Sequence, residues 1–248
     1  MADSSPVTTA QLIVVGLAVG VAACVQVLAG FGFALLCMPI MTLAIPVEKA
    51  VVVSTLLSAV TTSWQSWFMR KDAEGQLVRR LTIAAYVGMP LGMVILEVVS
   101  DTGLKIALGV SVLIATLLLA RRIDLRHVGV GLDASAGFLS GVLSTSLSTN
   151  GPPLVFDLQA RHLDAARFRA TISAVFALCN VGALALFIYR GKITGEGLHA
   201  SAVALPAWLV GQLIGWPLRK HVHGERFRVM VLVLLALAGT TTIVFAVV

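Results

Sequence analysis

Six consecutive residues, Ser148-Thr149-Asn150-Gly151-Pro152-Pro153, interrupt an otherwise apolar stretch with two hydroxyls, an amide, a glycine and two prolines. Their chemistry is that of a neutral anion-binding site. Proline removes a backbone donor and clashes with the preceding turn, while glycine loosens the chain, so a helix entering this segment must stop there. A helix starting beyond it presents free N–H groups and a partial positive charge, which suit an oxyanion without any lysine or arginine. Gly151 permits close approach, Asn150 supplies an amide donor, and Ser148 and Thr149 supply hydroxyls. Pro152 fits a first helical position, where its missing donor is unused. A second interruption, Gly30-Phe31-Gly32, offers another set of amides from the first half of the chain.

Plainer roles compete for each residue. The hydroxyls of Ser148 and Thr149 can bond back to the preceding turn. Asn180, mid-span, either meets substrate or hydrogen-bonds a neighbouring helix, and Gln26 and Gln65 are weaker candidates of the same kind. Asn150 carries the stronger argument, because an amide at membrane depth is expensive without a partner. Asp157 is a candidate for proton coupling if it is buried, against an interfacial ion pair with Arg161 or Arg169.

The elements that hold these residues are membrane helices. Of the 248 residues 58% are hydrophobic and 12% charged, against about 25% charged in soluble domains, so the chain has too few charges to cover a water-facing surface. Uncharged stretches suggest spans near 10–29, 50–69, 81–98, 104–120, 129–148, 170–189, 200–218 and 229–247, each close to the length that crosses about 30 Å of hydrocarbon. Two short apolar pieces remain, Phe33 to Ile45 and Pro153 to Ala160, each following a break; two embedded hairpins, or one steep and one short helix in each half, accommodate them. The segment from Met1 to Gln11 lacks the basic residues of a secretory signal, so the first span is read as retained. Cys24, Cys37 and Cys179 lie in apolar segments and read as packing.

Charge orders the loops. Arg70, Lys71, Arg79 and Arg80 form one basic connection; Arg121, Arg122 and Arg126 a second; Arg161, Arg167 and Arg169 a third; Arg219, Lys220, Arg226 and Arg228 a fourth. Only Lys49, Lys105, Arg190 and Lys192 lie elsewhere, in the alternating loops. This placement accounts for the net charge of +6 by topology and argues against nucleic-acid binding. If the basic loops are cytoplasmic, the stretch from Gly129 to Ala160 crosses an even number of times, as a hairpin does. The halves also echo one another. Arg70 to Gly75 has a counterpart in Arg190 to Gly195, and each is followed by Val-Gly-x-x-x-Gly, at Val87-Gly88 with Gly92 and at Val210-Gly211 with Gly215. Such spacing by itself signals close helix packing; its recurrence in register signals a duplicated unit.

Ala29-Gly30-Phe31-Gly32-Phe33-Ala34-Leu35-Leu36-Cys37-Met38-Pro39, together with Gly141-Val142-Leu143-Ser144 running into Asn150-Gly151-Pro152-Pro153, resembles the paired signatures of the TauE/SafE family of sulfite exporters. The likeness covers essentially the whole chain. Many members carry a fuller glycine cluster in each half, whereas here Phe33 follows Gly32 and Asn150-Gly151-Pro152-Pro153 stands in the second position. The resemblance implies transport of sulfite, sulfonates or other small sulfur-containing or carboxylate anions across a bacterial cytoplasmic membrane.

The expected fold is an all-α integral membrane protein, a polytopic helical bundle of two inverted repeats, residues 1–125 and 126–248, each with a broken helix or membrane-embedded hairpin. The expected function is secondary transport of sulfite or an organosulfonate, outward, by alternating access. Substrate contacts are assigned to Gly30, Phe31, Gly32, Ser148, Thr149, Asn150, Gly151, Pro152 and Asn180, and possible coupling to Asp157. The expected partners are a small anion, the lipid bilayer, and protons or sodium as coupling ions. Uptake of a sulfonate or carboxylate, or an anion channel, are the alternatives, and a scaffold would need no break at Asn150 to Pro153. No cofactor or metal is expected, and no enzymatic activity: His127, His162, His199, His221 and His223 fall in or near loops, with no cluster at ligand spacing.

Overall fold

The computed structural model describes residues 8–29, 32–120, 129–161, 163–218 and 225–247, and the described chain is helical throughout. In the first half come α1 (Thr9–Ala29), α2 (Phe33–Met41), α3 (Val47–Met69), α4 (Gly75–Val98) and α5 (Asp101–Ala120). In the second come α6 (Val130–Leu147), α7 (Gly151–Ala160), α8 (Ala165–Tyr189), α9 (Gly195–Leu218) and α10 (Glu225–Val247). Both short pieces left over by hydropathy are therefore helices that begin at a break. Gly30, Phe31 and the second basic loop lie outside the described residues, as does most of the fourth.

Among the described residues six helices, α1, α4, α5, α8, α9 and α10, are long and apolar enough to cross a bilayer. The sequence predicts eight, and the two that fall short have a physical reason. Helix α3 buries Ser54, Thr55, Ser58, Thr61 and Thr62, and α6 buries Asp133, Ser140, Ser144, Thr145 and Ser146, so polar groups inside the bundle lower their hydropathy. The outer surface is the reverse: Leu17, Trp64, Val87, Phe245 and Leu213 are 65–71% exposed. Polar atoms inside and large apolar side chains outside are the arrangement a bilayer requires.

Close helix contacts come from the glycine motifs. A Cβ at Gly88 would overlap Phe138 O, one at Gly92 would overlap Val142 O, and one at Gly141 would overlap Ala85 O, so α4 and α6 meet backbone to backbone. Gly211 meets Gly20 O in the same way, and a Cβ at Gly215 would sit 3.0 Å from Cys24 O, joining α9 to α1. The recurring Val-Gly-x-x-x-Gly patterns are thus packing surfaces. Helices α3 and α8 pack against each other, as α5 and α10 do.

Polar contacts sort the connections to two ends of the bundle. At one end, Arg167 from the start of α8 pairs with Glu74 at 2.8 Å, and the Glu74 amide donates to Thr171 Oγ1. Arg80 of α4 lies 3.6 Å from Asp133 of α6, which also pairs with Arg161, just past α7. At the other end, Lys49 pairs with Glu196 at 2.7 Å, Lys192 with Glu48 at 3.2 Å, and Arg190 with Glu97. The Val47 amide donates to Asp101 there, and Gln11 Nε2 of α1 donates to Ala44 O beyond α2. So α6 leaves the Arg80 end and α7 returns to it, while α1 leaves the opposite end and α2 returns to that one. Two helical hairpins enter from opposite ends.

Candidate functional site

The tips of the two hairpins meet. A cavity of about 30 Å³ is lined by Gly32, Phe33, Ala34 and Leu35 from the start of α2, and by Ser148, Thr149, Asn150 and Gly151 from the α6–α7 break. Gln26 of α1, Ser58 and Thr62 of α3, and Phe176 and Asn180 of α8 complete the wall. No lysine or arginine is among the lining residues.

Local sequence explains each tip. Gly32 caps α2 at φ 95°, a left-handed conformation that glycine adopts without strain. No side chain caps that helix, and none of its first three residues, Phe33, Ala34 and Leu35, is a proline, so each carries an N–H without an intrahelical acceptor. On the other side α6 ends at Ser148, whose φ of 56° makes it the one non-glycine residue with positive φ among those described. The Thr149 amide bonds back to Leu143 O at 3.2 Å, a closure typical of helices ending at a left-handed residue. Helix α7 then begins at Gly151, with Asn150 as its N-cap. Pro152 and Pro153 fall at the second and third helical positions, so the sequence expectation of Pro152 at the first is off by one residue. Within that first turn only Gly151 keeps an N–H.

Side chains make up the difference at the second tip. Thr149 Oγ1 and Asn150 Nδ2 are buried without any hydrogen-bond partner, and so is Gln26 Oε1 across the cavity. Buried polar atoms are normally paired, so three unpaired ones on residues that line a cavity beside two uncapped helix N-termini make it the candidate site. The other polar groups hold the frame. Ser148 Oγ lies 3.1 Å from Thr55 Oγ1 and donates to Ser54 Oγ at 3.2 Å, so it bonds to α3 rather than to its own preceding turn. Ser140 Oγ donates to Asn150 O at 3.0 Å and steadies the break. Asn180 Nδ2 donates to Thr62 Oγ1 at 3.1 Å and so ties α8 to α3 while lining the cavity.

The structure thus brings together Gly32, Ser148, Thr149, Asn150, Gly151 and Asn180. Pro152 follows them in α7 and does not line the cavity, and Gly30 and Phe31 lie outside the described residues. Gln26 joins the site, whereas Gln65 accepts from Ser173 Oγ elsewhere. Asp157 is wholly buried but sits six residues along α7, about 9 Å from Gly151 at the usual helical rise; its oxygen lies 3.4 Å from Arg161 Nε. Ser58 and Thr62 were missed. Their signal was present, since Ser54, Thr55, Ser58, Thr61 and Thr62 repeat at helical spacing along one face of α3. Phe176 gives no such signal.

A larger groove of about 840 Å³ runs beside α3, α8 and α9 and gathers all four tryptophans of the chain, Trp64, Trp67, Trp208 and Trp216. Its walls are mostly apolar and open to the outside, with Trp64, Trp67 and Trp216 each about two-thirds exposed. Trp208 Nε1 donates to Thr61 Oγ1, one residue from Thr62 of the cavity. The groove has the surface that lipid wets, and the small cavity has the unpaired polar atoms.

A helical bundle with an apolar exterior, two hairpins entering from opposite ends and helix N-termini meeting inside is the arrangement of a membrane transport protein. The chain matches the family described as Sulfite exporter TauE/SafE over residues 12–242, and it belongs to that family. It is similar to a probable sulfite/organosulfonate exporter TauE of Cupriavidus necator, with 22% identity over 198 residues, 77% of each chain. It is also similar to a probable inner membrane transporter protein TsaS of Comamonas testosteroni, with 31% identity over 114 residues, 46% of this chain and 45% of that one. No solved structure matches it.

Proposed function

We propose that this protein is a secondary carrier that exports a small sulfur-containing anion, sulfite or an organosulfonate, across the bacterial inner membrane. Residues 1–125 and 126–248 form two inverted halves in this reading, each contributing one hairpin. The pairing of helices supports it: exchanging the halves turns the α1–α9 contact into α6–α4 and leaves α3–α8 and α5–α10 unchanged. The basic end, with Arg80, Arg161 and Arg167, is cytoplasmic by the positive-inside rule.

The observation that carries the assignment is the convergence of the α2 and α7 N-termini, with unpaired Thr149 Oγ1 and Asn150 Nδ2, on a cavity without a fixed cation. An anion there accepts from the α2 amides, the Gly151 amide and the Asn150 side chain, and both helix dipoles favour its charge. Without a buried lysine or arginine the anion is bound weakly enough to leave. A cavity of about 30 Å³ has room for about one water, so an oxyanion enters only when the surrounding helices separate. That requirement favours alternating access over an open channel.

Sulfite flux into proteoliposomes tests the reading. A carrier gives saturable flux that is accelerated by sulfite on the opposite side. Flux that rises linearly with concentration and ignores the opposite side would instead indicate a channel, and no flux of sulfite or sulfonates would remove the substrate assignment.

A further inference from the structure

The feet of the two hairpins are closed by different chemistry. Where α1 and α2 meet at their end of the bundle the closure is neutral, Gln11 Nε2 to Ala44 O at 2.7 Å. Where α6 and α7 meet, two carboxylates are buried together: Asp133 from α6 is 1% exposed and Asp157 from α7 is 0% exposed. Both pair with the guanidinium of Arg161, Asp133 through Oδ1 and Nη2 and Asp157 through Oδ2 and Nε, the latter at 3.4 Å. The remaining oxygen of each, Asp133 Oδ2 and Asp157 Oδ1, has no hydrogen-bond partner. The two carboxyl groups therefore meet on neighbouring nitrogens of one guanidinium.

Among the described residues, Arg80 is the other charge beside the pair. On α4, Arg80 stands 3.6 Å from Asp133 Oδ2, beyond hydrogen-bond reach, and its side chain is 47% exposed. Arg167 at the start of α8 is engaged with Glu74 and Asp164, and Arg169 lines the tryptophan groove. The titratable groups of α5, Asp101 and Lys105, pair with each other at the opposite end of the bundle. Two buried carboxylates therefore share the Arg161 guanidinium, with the half-exposed Arg80 as a longer ion pair to Asp133, and among the described residues one oxygen of each has no hydrogen bond. Like charges this near do not both stay ionised in a dry site. A single proton on one orphan oxygen makes it a donor to the other carboxylate, removing one buried charge. A metal cation fits poorly, because Arg161 already lies between the carboxylates and repels it.

We propose that Asp133 and Asp157 together form a proton-binding site at the foot of the α6–α7 hairpin, one proton bridging the two carboxylates. The proton comes from water at the basic end, which Arg80 and Arg161 border, and returns there when the foot opens. Binding it joins α6 to α7 through a second contact besides Arg161. Its consequence for transport rests on the carrier reading above: Asp157 and Gly151 share the short rigid α7, so the protonation state at the foot biases the position of the anion site at the tip.

Infrared spectroscopy of the reconstituted protein tests the site without any substrate. The expected spectrum contains the C=O stretch of one protonated carboxyl at neutral pH, titrating away at high pH and absent from both Asp133→Asn and Asp157→Asn, each of which leaves one aspartate alone with Arg161. A band that is absent from the wild type, or that persists in both variants, overturns the proposal. Sulfonate exchange in the same proteoliposomes separates the two readings. Asp157→Asn is expected to retain exchange between equal sulfonate pools at a rate that no longer varies with pH. Exchange whose pH profile matches the wild type's would refute the link to transport and leave the infrared result standing alone.

Discussion

The two hairpins solve one problem with different materials. At the α2 tip the donors are backbone: Phe33, Ala34 and Leu35 keep their N–H groups, and Gly32 supplies a left-handed cap that no bulky residue would accept. At the α7 tip two prolines remove most of the backbone donors, and Thr149 and Asn150 offer side chains in their place. The feet differ as well, a neutral amide contact below α1–α2 against the Asp133–Arg161–Asp157 cluster below α6–α7. One tip presents mainly backbone groups and the other mainly side chains, and the foot of the second hairpin holds two buried carboxylates. Side-chain substitutions should therefore act most strongly on the second hairpin, and backbone changes on the tip of the first.

The largest contrast is expected at the feet. Arg161→Ala leaves two buried carboxylates without their close partner and should destabilise the protein by about 3–5 kcal/mol, the usual cost of breaking a buried charged network. Thermal unfolding in detergent measures it, with Asp133→Asn expected to restore part of the loss. Next comes the second tip. Asn150→Ala removes a donor to an ionised oxygen, which is worth about 1.5–3 kcal/mol, so sulfite should saturate transport at about ten- to hundred-fold higher concentration while melting changes little.

The first tip should answer to backbone strain instead. At Gly32 no atom lies within 4 Å of an added Cβ, so Gly32→Ala meets no clash and costs only its positive φ, about 1–2 kcal/mol. Gly32→Asn should recover much of that, because asparagine tolerates the left-handed region; equal losses for alanine and asparagine would show that φ is not what matters. The smallest effect belongs to the neutral foot, where Gln11→Ala should cost about 0.5–1.5 kcal/mol, well below Arg161→Ala on the same melting assay.

Much of this comparison was legible in the sequence. Glycine and proline inside apolar runs announced both breaks, and the Val-Gly-x-x-x-Gly recurrence announced the α4 and α9 packing faces. Basic loops required α6 and α7 to return to one side, and the Asp133–Arg161 pair shows them doing so. What escaped was long-range or finely registered. Asp133 and Arg161 are 28 residues apart, on the two limbs of a hairpin, and nothing local links them. Ser58 and Thr62 reach the cavity because α3 and α8 pack against each other, which hydropathy does not report. Placement of Pro152 at the second helical position depends on Asn150 acting as the cap, a choice of one residue that propensity leaves open.

The claim that the two tips hold an anion is tested most directly by solid-state NMR of the reconstituted protein, with ¹⁵N on asparagine and glycine, during a sulfite titration. The account predicts that the Asn150 side-chain nitrogen and the Gly151 amide shift together and saturate, at the concentration that half-saturates transport. Unmoved Asn150 and Gly151 signals in a protein that still carries sulfite would contradict it and place the anion elsewhere in the bundle.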